Sequence, residues 1–73
     1  MMEIRILAVN DNGFEIFLTD GSVWQPENIE DITVTSHWYP PQRINVSVSS
    51  GKEYTLTNLD AWTRDQVKVS RIN

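Results

Sequence analysis

The chain has no cysteine, a single histidine (His37), and six basic residues against ten acidic ones in a length of 73. Each shortage excludes something. Without cysteine no disulfide can staple the fold, and one histidine cannot complete a zinc site of the Cys/His kind. A domain of this size buries only about 60% of the surface its unfolded chain exposes, so small domains commonly recruit disulfides or a metal. Here packing alone must hold the fold. The three tryptophans, two tyrosines and two phenylalanines matter for that reason, because each buries a large area. No run approaches the roughly 20 apolar residues of a membrane-spanning helix, and no segment is of low complexity. The N-terminal MMEIRILAVN lacks the basic start and long apolar stretch of a signal peptide. The expectation is one domain over residues 1–73 with no cofactor, located in the cytoplasm, or in the periplasm or medium if a signal peptide has been removed.

Positive charge is also scarce. The net charge of −4 argues against DNA or RNA as a partner, since phosphate binding needs a basic patch. The charge is uneven: residues 1–36 carry seven acids against Arg5 alone, and residues 37–73 carry five bases against three acids. Either strands from the two halves interleave and blur this asymmetry, or an acidic surface is left to meet a basic partner.

Only three glycines are present, and two of them fall in strong turn signals, Asn12-Gly13 and Asp20-Gly21. Between and beside them lie alternating, β-branched stretches: EIRILAV at 3–9, FEIFLT at 14–19 and SVWQ at 22–25. Three strands joined by two tight turns make a meander. Two-residue turns would set Val9 opposite Ile16, Leu7 opposite Leu18, Leu18 opposite Val23 and Phe17 opposite Trp24. Directly opposed residues share a face. The main core face would then hold Leu7, Val9, Phe14, Ile16, Leu18 and Val23. Trp24 would fall on the second face with Ile6 and Phe17.

PENIEDI, residues 26–32, places Pro26 at a first helical position with acids behind it, and predicts one helical turn. Ile29 and Ile32, three apart, would cover Trp24 and leave one edge of its ring accessible. TVTSHW reads as a short strand and YPPQ as a corner. RINVSVS, 43–49, alternates with Ile44, Val46 and Val48 inward. It pairs with YTLT across Ser50–Lys52, because only a three-residue loop sets Val48 against Tyr54 and Val46 against Leu56. NLDAWTRDQ is a connection and VKVSRI the last strand. The fold class is all-β: a small SH3-like or OB-like barrel of five to six antiparallel strands with one short helical turn. Closure removes the edges that so small a sheet could not otherwise protect.

The order DGSVW at 20–24, PENIEDI at 26–32, HWYPPQRINVSV at 37–48 and YTLTNL at 54–59 resembles a loose group of small bacterial β-proteins of uncharacterised function. The pattern spans most of the chain. It departs from the group where Pro41-Gln42 stands in place of Gly-Asp. The resemblance implies a small barrel and no particular activity.

Three constellations could carry chemistry. His37 is the one natural general base near neutral pH, but on a strand it and Ser36 would point to opposite faces. Glu27, Glu30 and Asp31 could offer oxygens to a hard cation, yet they are too few and no calcium loop accompanies them. Trp24, Trp38, Tyr39 and Trp62 form the third set. They either fill the barrel and cover its ends, or make an aromatic shelf flanked by the acids of 27–31, as in peptide-binding barrels. The candidate binding residues are therefore Trp24, Glu27, Glu30, Asp31, Trp38, Tyr39 and Trp62, with no catalytic residue and no metal ligand. The functional expectation is a non-enzymatic protein, monomer or weak homodimer, acting through contacts with a protein partner. It could be a regulatory protein or a phage or mobile-element inhibitor of a host factor. A structural module of an envelope or secreted assembly is the alternative, and an unrecognised enzyme the third.

Overall fold

A computed structural model describes residues 3–73. Six antiparallel strands form one sheet: β1 (Ile6–Asn10), β2 (Glu15–Leu18), β3 (Val23–Pro26), β4 (Ile44–Val48), β5 (Tyr54–Asn58) and β6 (Gln66–Arg71). One helix, α1 (Ile29–Thr35), joins β3 to β4. The sheet order is β1-β2-β3-β6-β5-β4. Its two edges meet where Arg5 bridges Arg43, flanked by Ile6 N–H to Gln42 O and Ile44 N–H to Ile4 O, each 2.9 Å. The result is a small all-β barrel of the expected SH3-like or OB-like kind. The two halves do not interleave. β1–β3 and β4–β6 each stay together, and the two halves meet at the β3–β6 pair and at the seam where Arg43 Nη1 lies 3.8 Å from Glu3 Oε1.

The Asn12-Gly13 turn forms as its chemistry dictates. Asn12 (φ 55, ψ 34) and Gly13 (φ 104) are both left-handed, and Phe14 N–H donates to Asp11 O at 3.2 Å. Val9 pairs with Ile16 as expected, but β1 then bulges. The extra residue is Leu7, so Ile6, not Leu7, faces Leu18. The parity flips at that point: Ile6 is buried and Leu7 is 63% exposed, the reverse of the sequence reading. Leu7→Ser should leave stability within about 0.5 kcal/mol of wild type in thermal unfolding, as for a surface change. A loss of about 2 kcal/mol or more, the scale of a core truncation, would return Leu7 to the interior.

The Asp20-Gly21 hairpin departs by one residue. Its loop is Thr19–Gly21, closed by Leu18 N–H to Ser22 O at 3.0 Å, with Gly21 left-handed (φ 90). Trp24 therefore faces Ile16, and Phe17 faces Val23. Trp24 joins the main core, while Phe17 and Val23 are only half-buried. Phe14, also expected inside, is exposed at its turn. The second hairpin keeps the expected register, Val48 to Tyr54 and Val46 to Leu56. Even so, Val48 lies at the strand's outer end and is exposed.

The helix is longer and later than expected. Pro26 ends β3, and Glu27 N–H extends that ladder to Lys68 O at 2.9 Å. Residues 33–35, read as the start of a strand, are helical, and the turn runs on through Trp38 N–H to Thr35 O. Intrinsic preference for this β-branched run is overridden by docking. Thr35 is fully buried and its hydroxyl donates to Gly13 O at 2.6 Å. The continued turn swings Trp38 into the barrel. Ile29 is 86% exposed and covers nothing. The core is Ile6, Ile16, Leu18, Trp24, Trp38, Ile44, Leu56, Val67 and Val69.

Candidate functional site

The structure separates the expected binding residues into two groups. Trp24 is 3% exposed, packed against Tyr54 with ring centroids 5.0 Å apart and crossed by the Arg71 guanidinium at 6.0 Å. No ring edge is left for a surface running past the acids. Glu27 and Glu30 are exposed and Asp31 is half-buried. Glu27 accepts from Ser70 Oγ at 3.1 Å, and Asp31 from Asn28 Nδ2 at 3.5 Å. These acids stand at the start of α1 and do not converge. Among the described residues no cluster of acidic and histidine side chains could hold a metal ion.

His37 and Ser36 do not lie on a strand. At the end of α1 they are neighbours, Ser36 Oγ 3.3 Å from His37 Nδ1. They still form no catalytic pair. His37 Nδ1 lies 2.8 Å from Thr33 O, an acceptor, so it carries the proton, and Ser36 Oγ–H donates to the same carbonyl at 2.7 Å. The nitrogen nearest Ser36 thus has no lone pair with which to take its proton.

The second group is built by residues that the sequence reading passed over. Asn58 ends β5 completely buried. Its Nδ2–H donates to Gln42 Oε1 at 2.8 Å, and Gln42 Oε1 also accepts from Tyr39 N–H at 2.9 Å. Its Oδ1 accepts from Asp60 N–H and Ala61 N–H, each 3.0 Å, and its own N–H reaches Asp65 O at 2.9 Å. One buried amide therefore pins the 39–42 corner and both ends of the 59–65 loop. Arg43 completes the frame: Nε and Nη2 donate to Asp60 Oδ1 at 3.0 and 2.7 Å, and its backbone N–H to Oδ2 at 2.8 Å. The Arg43 hydrogen bonds hold the Asp60 carboxyl below its usual range, and Asp60 raises Arg43 in turn. Thr63 Oγ donates to Asp65, and Arg64 N–H to Ala61 O at 3.0 Å.

At the tip of this loop Trp62 is 99% exposed. Tyr39, exposed on the adjoining corner, shares the same anchor, and Trp38 is buried beneath with Nε1 3.5 Å from Asp65 Oδ2. Of the four aromatics in the expected set, two are core and two are surface. The cue for the frame was Asn58-x-Asp60 at a strand end, the spacing of an Asx-type turn. Asn58→Ala should cost about 1–3 kcal/mol by leaving Gln42 and two amides without their partner. Hydrogen exchange should quicken at Asp60 and Ala61, and unchanged protection there would show that Asn58 does not hold the loop.

No helix among the described residues is long and apolar enough to cross a membrane. No protein family, curated protein or solved structure matches the chain.

Proposed function

We propose that this protein is a non-enzymatic contact module whose recognition element is the 59–65 loop with Trp62 at its tip. The observation that carries the reading is a fully exposed indole on a loop whose backbone is already fixed. Solvent exposure of a large apolar ring is unfavourable by roughly 1.5–3 kcal/mol relative to burial. Tryptophan is among the residues that dominate binding energy at interfaces. A pre-ordered loop lowers the ordering cost of association. The buried Asn58–Gln42 pair and the Arg43–Asp60 pair give that order without any partner present. A role as a regulator or inhibitor that occupies another protein's surface follows from this reading. The Ser36–His37 geometry gives no support to hydrolytic chemistry.

Trp62→Ala and Trp62→Phe test it. Neither should shift stability by more than about 0.5 kcal/mol, because the ring packs on nothing. Capture of a stoichiometric protein from host lysate should be lost with alanine and weakened with phenylalanine. Equal capture by wild type and Trp62→Ala would remove Trp62 from the proposed role.

A further inference from the structure

We infer that Asn12 is a chemical modification site, a spontaneous deamidation centre that the native turn holds shut and that opening of the turn releases. Sequence sets the chemistry. Of the asparagines, Asn12 alone precedes glycine. The main-chain nitrogen of the next residue is the internal nucleophile, and before glycine no side chain crowds its approach. At Asn10, Asn28, Asn45 and Asn58 the next residue is Asp11, Ile29, Val46 or Leu59. Asn12 is also exposed, so water and hydroxide reach its amide. The other turn of this kind, Asp20-Gly21, offers a carboxylate held by Ser22 N–H at 2.9 Å and Ser22 Oγ–H at 2.5 Å, with no amide to lose.

The step balances with water as the one co-reactant. Gly13 N gives up its proton and bonds to Asn12 Cγ. The Cγ–Nδ2 bond breaks, and the amide nitrogen leaves as ammonia, taking up that proton. Water then opens the five-membered imide. Cleavage of Gly13 N from Cγ gives aspartate. Cleavage from the main-chain carbonyl gives isoaspartate, with the chain running through the side chain.

Native geometry forbids the first bond. Ring closure needs Gly13 N nearly eclipsed with Asn12 Cβ about the Cα–C bond. At the native ψ of 34 the two are nearly trans. Turning the 12–13 peptide over requires the turn to open, and three contacts oppose that. Phe14 N–H donates to Asp11 O at 3.2 Å, and Thr35 Oγ–H donates to Gly13 O at 2.6 Å. Gly13 Cα faces Ile32 O and the Ser36 backbone so closely that an added Cβ would lie 2.5–2.8 Å from them. The reaction therefore runs through a locally opened state, and its rate scales with the population of that state.

The fold accepts the two products differently. Aspartate keeps the backbone and tolerates the left-handed conformation. Isoaspartate inserts a methylene into the main chain of a turn that has no slack against α1. Opening at this point is thereby converted from a reversible event to a permanent one, as when an open state is modified before it closes.

The test uses the intact protein in mildly alkaline buffer, native and in denaturing urea. Peptides from timed samples are read by mass spectrometry, with an isoaspartate-specific methyltransferase as probe. In urea, Asn12 should be the first asparagine to convert. In the native protein its conversion should be slower by at least about tenfold, set by the population of the open turn. Thr35→Val removes the bond to Gly13 O at nearly constant volume and should speed native conversion about fivefold, the equilibrium worth of one such bond. Asn58→Ala loosens the 59–65 loop instead and should leave the Asn12 rate unchanged. Refolded from urea, the isoaspartate product should melt below wild type, whereas Asn12→Asp should melt close to it. Equal rates in native and unfolded protein, or another asparagine converting first, overturn the inference. So do an unmoved rate in Thr35→Val, a rise in Asn58→Ala as large as that in Thr35→Val, and an isoaspartate product that melts like Asn12→Asp. The wild-type comparison decides alone should Thr35→Val not fold.

Discussion

Gly13→Ala should destabilise the protein by about 3–5 kcal/mol, more than alanine at Gly21 or Gly51, where an added Cβ meets nothing within 4 Å. Two independent costs meet at this position. The backbone is left-handed (φ 104), a conformation that costs a residue with a Cβ about 1–3 kcal/mol. A Cβ built there would also lie 2.5 Å from Ser36 N and 2.8 Å from both Ile32 O and Ser36 Cα. All three are backbone atoms of the end of α1, so no side chain can turn aside. The helix would have to lift, and with it the Thr35 hydroxyl bond to Gly13 O. Overpacking of this kind costs a further 1–3 kcal/mol or so. A domain of this length has a total stability of about 4–11 kcal/mol at the usual per-residue range. The melting temperature should fall by roughly 15–30 °C. Gly21→Ala is the control: its φ is 90 but nothing lies within 4 Å. It should lose about 1 kcal/mol, from backbone strain alone. Equal losses for the two would mean that α1 does not rest on Gly13.

That contact also explains why α1 was only partly legible. Residues 32–35 are all β-branched, and on local preference they belong in a strand. What makes them helical is the bare glycine 22 residues earlier and a threonine placed to bond it, a relation with no local signature. The hairpins divide in the same way. Across Ser50–Lys52 a wrong loop length would have buried Glu53, so parity settled the register. Across Thr19–Gly21 the observed loop sets Leu18 against Ser22, whereas a two-residue loop would oppose apolar to apolar throughout, so the side-chain pattern pointed to the register that does not form. The bulge at Leu7 uses no glycine, so it left no mark. The loop frame was readable in principle from Asn58 and Asp60. The exposure of Trp62 was not, since an apolar residue in a connection can equally turn inward.

Trp24→Ala should cost about 3–5 kcal/mol, the range for truncating a buried aromatic. The ring closes one end of the barrel against Ile16, Tyr54 and Arg71. Its polar edge is satisfied by a relay that explains the spacing Asp20-x-Ser22-x-Trp24. The indole Nε1–H donates to Ser22 Oγ at 2.7 Å, and Ser22 Oγ–H donates to Asp20 Oδ1 at 2.5 Å. Ser22 N–H reaches the same oxygen at 2.9 Å. Ser22 is itself buried, so each link needs the next. Trp24→Phe keeps most of the apolar area and removes only the donor. Ser22→Ala keeps the ring and strands its N–H. Each should lose about 1–3 kcal/mol, the cost of a buried polar group left without its partner. The relay also gives acid sensitivity a direction. The Ser22 hydroxyl bond holds Asp20 below its usual value of 3.8. The ionised carboxylate is therefore favoured in the native state, and its contribution is complete above that value and lost as pH falls through the lower native one. Asp20 is largely exposed, so the effect is small. Asp20→Asn should flatten it: as pH falls below the usual carboxylate value of 3.8 the wild type loses more stability than the variant. Parallel acid curves would detach Asp20 from the relay. A Trp24→Ala protein that melts like wild type would take Trp24 out of the core, and with it the one-residue shift of the β2–β3 register.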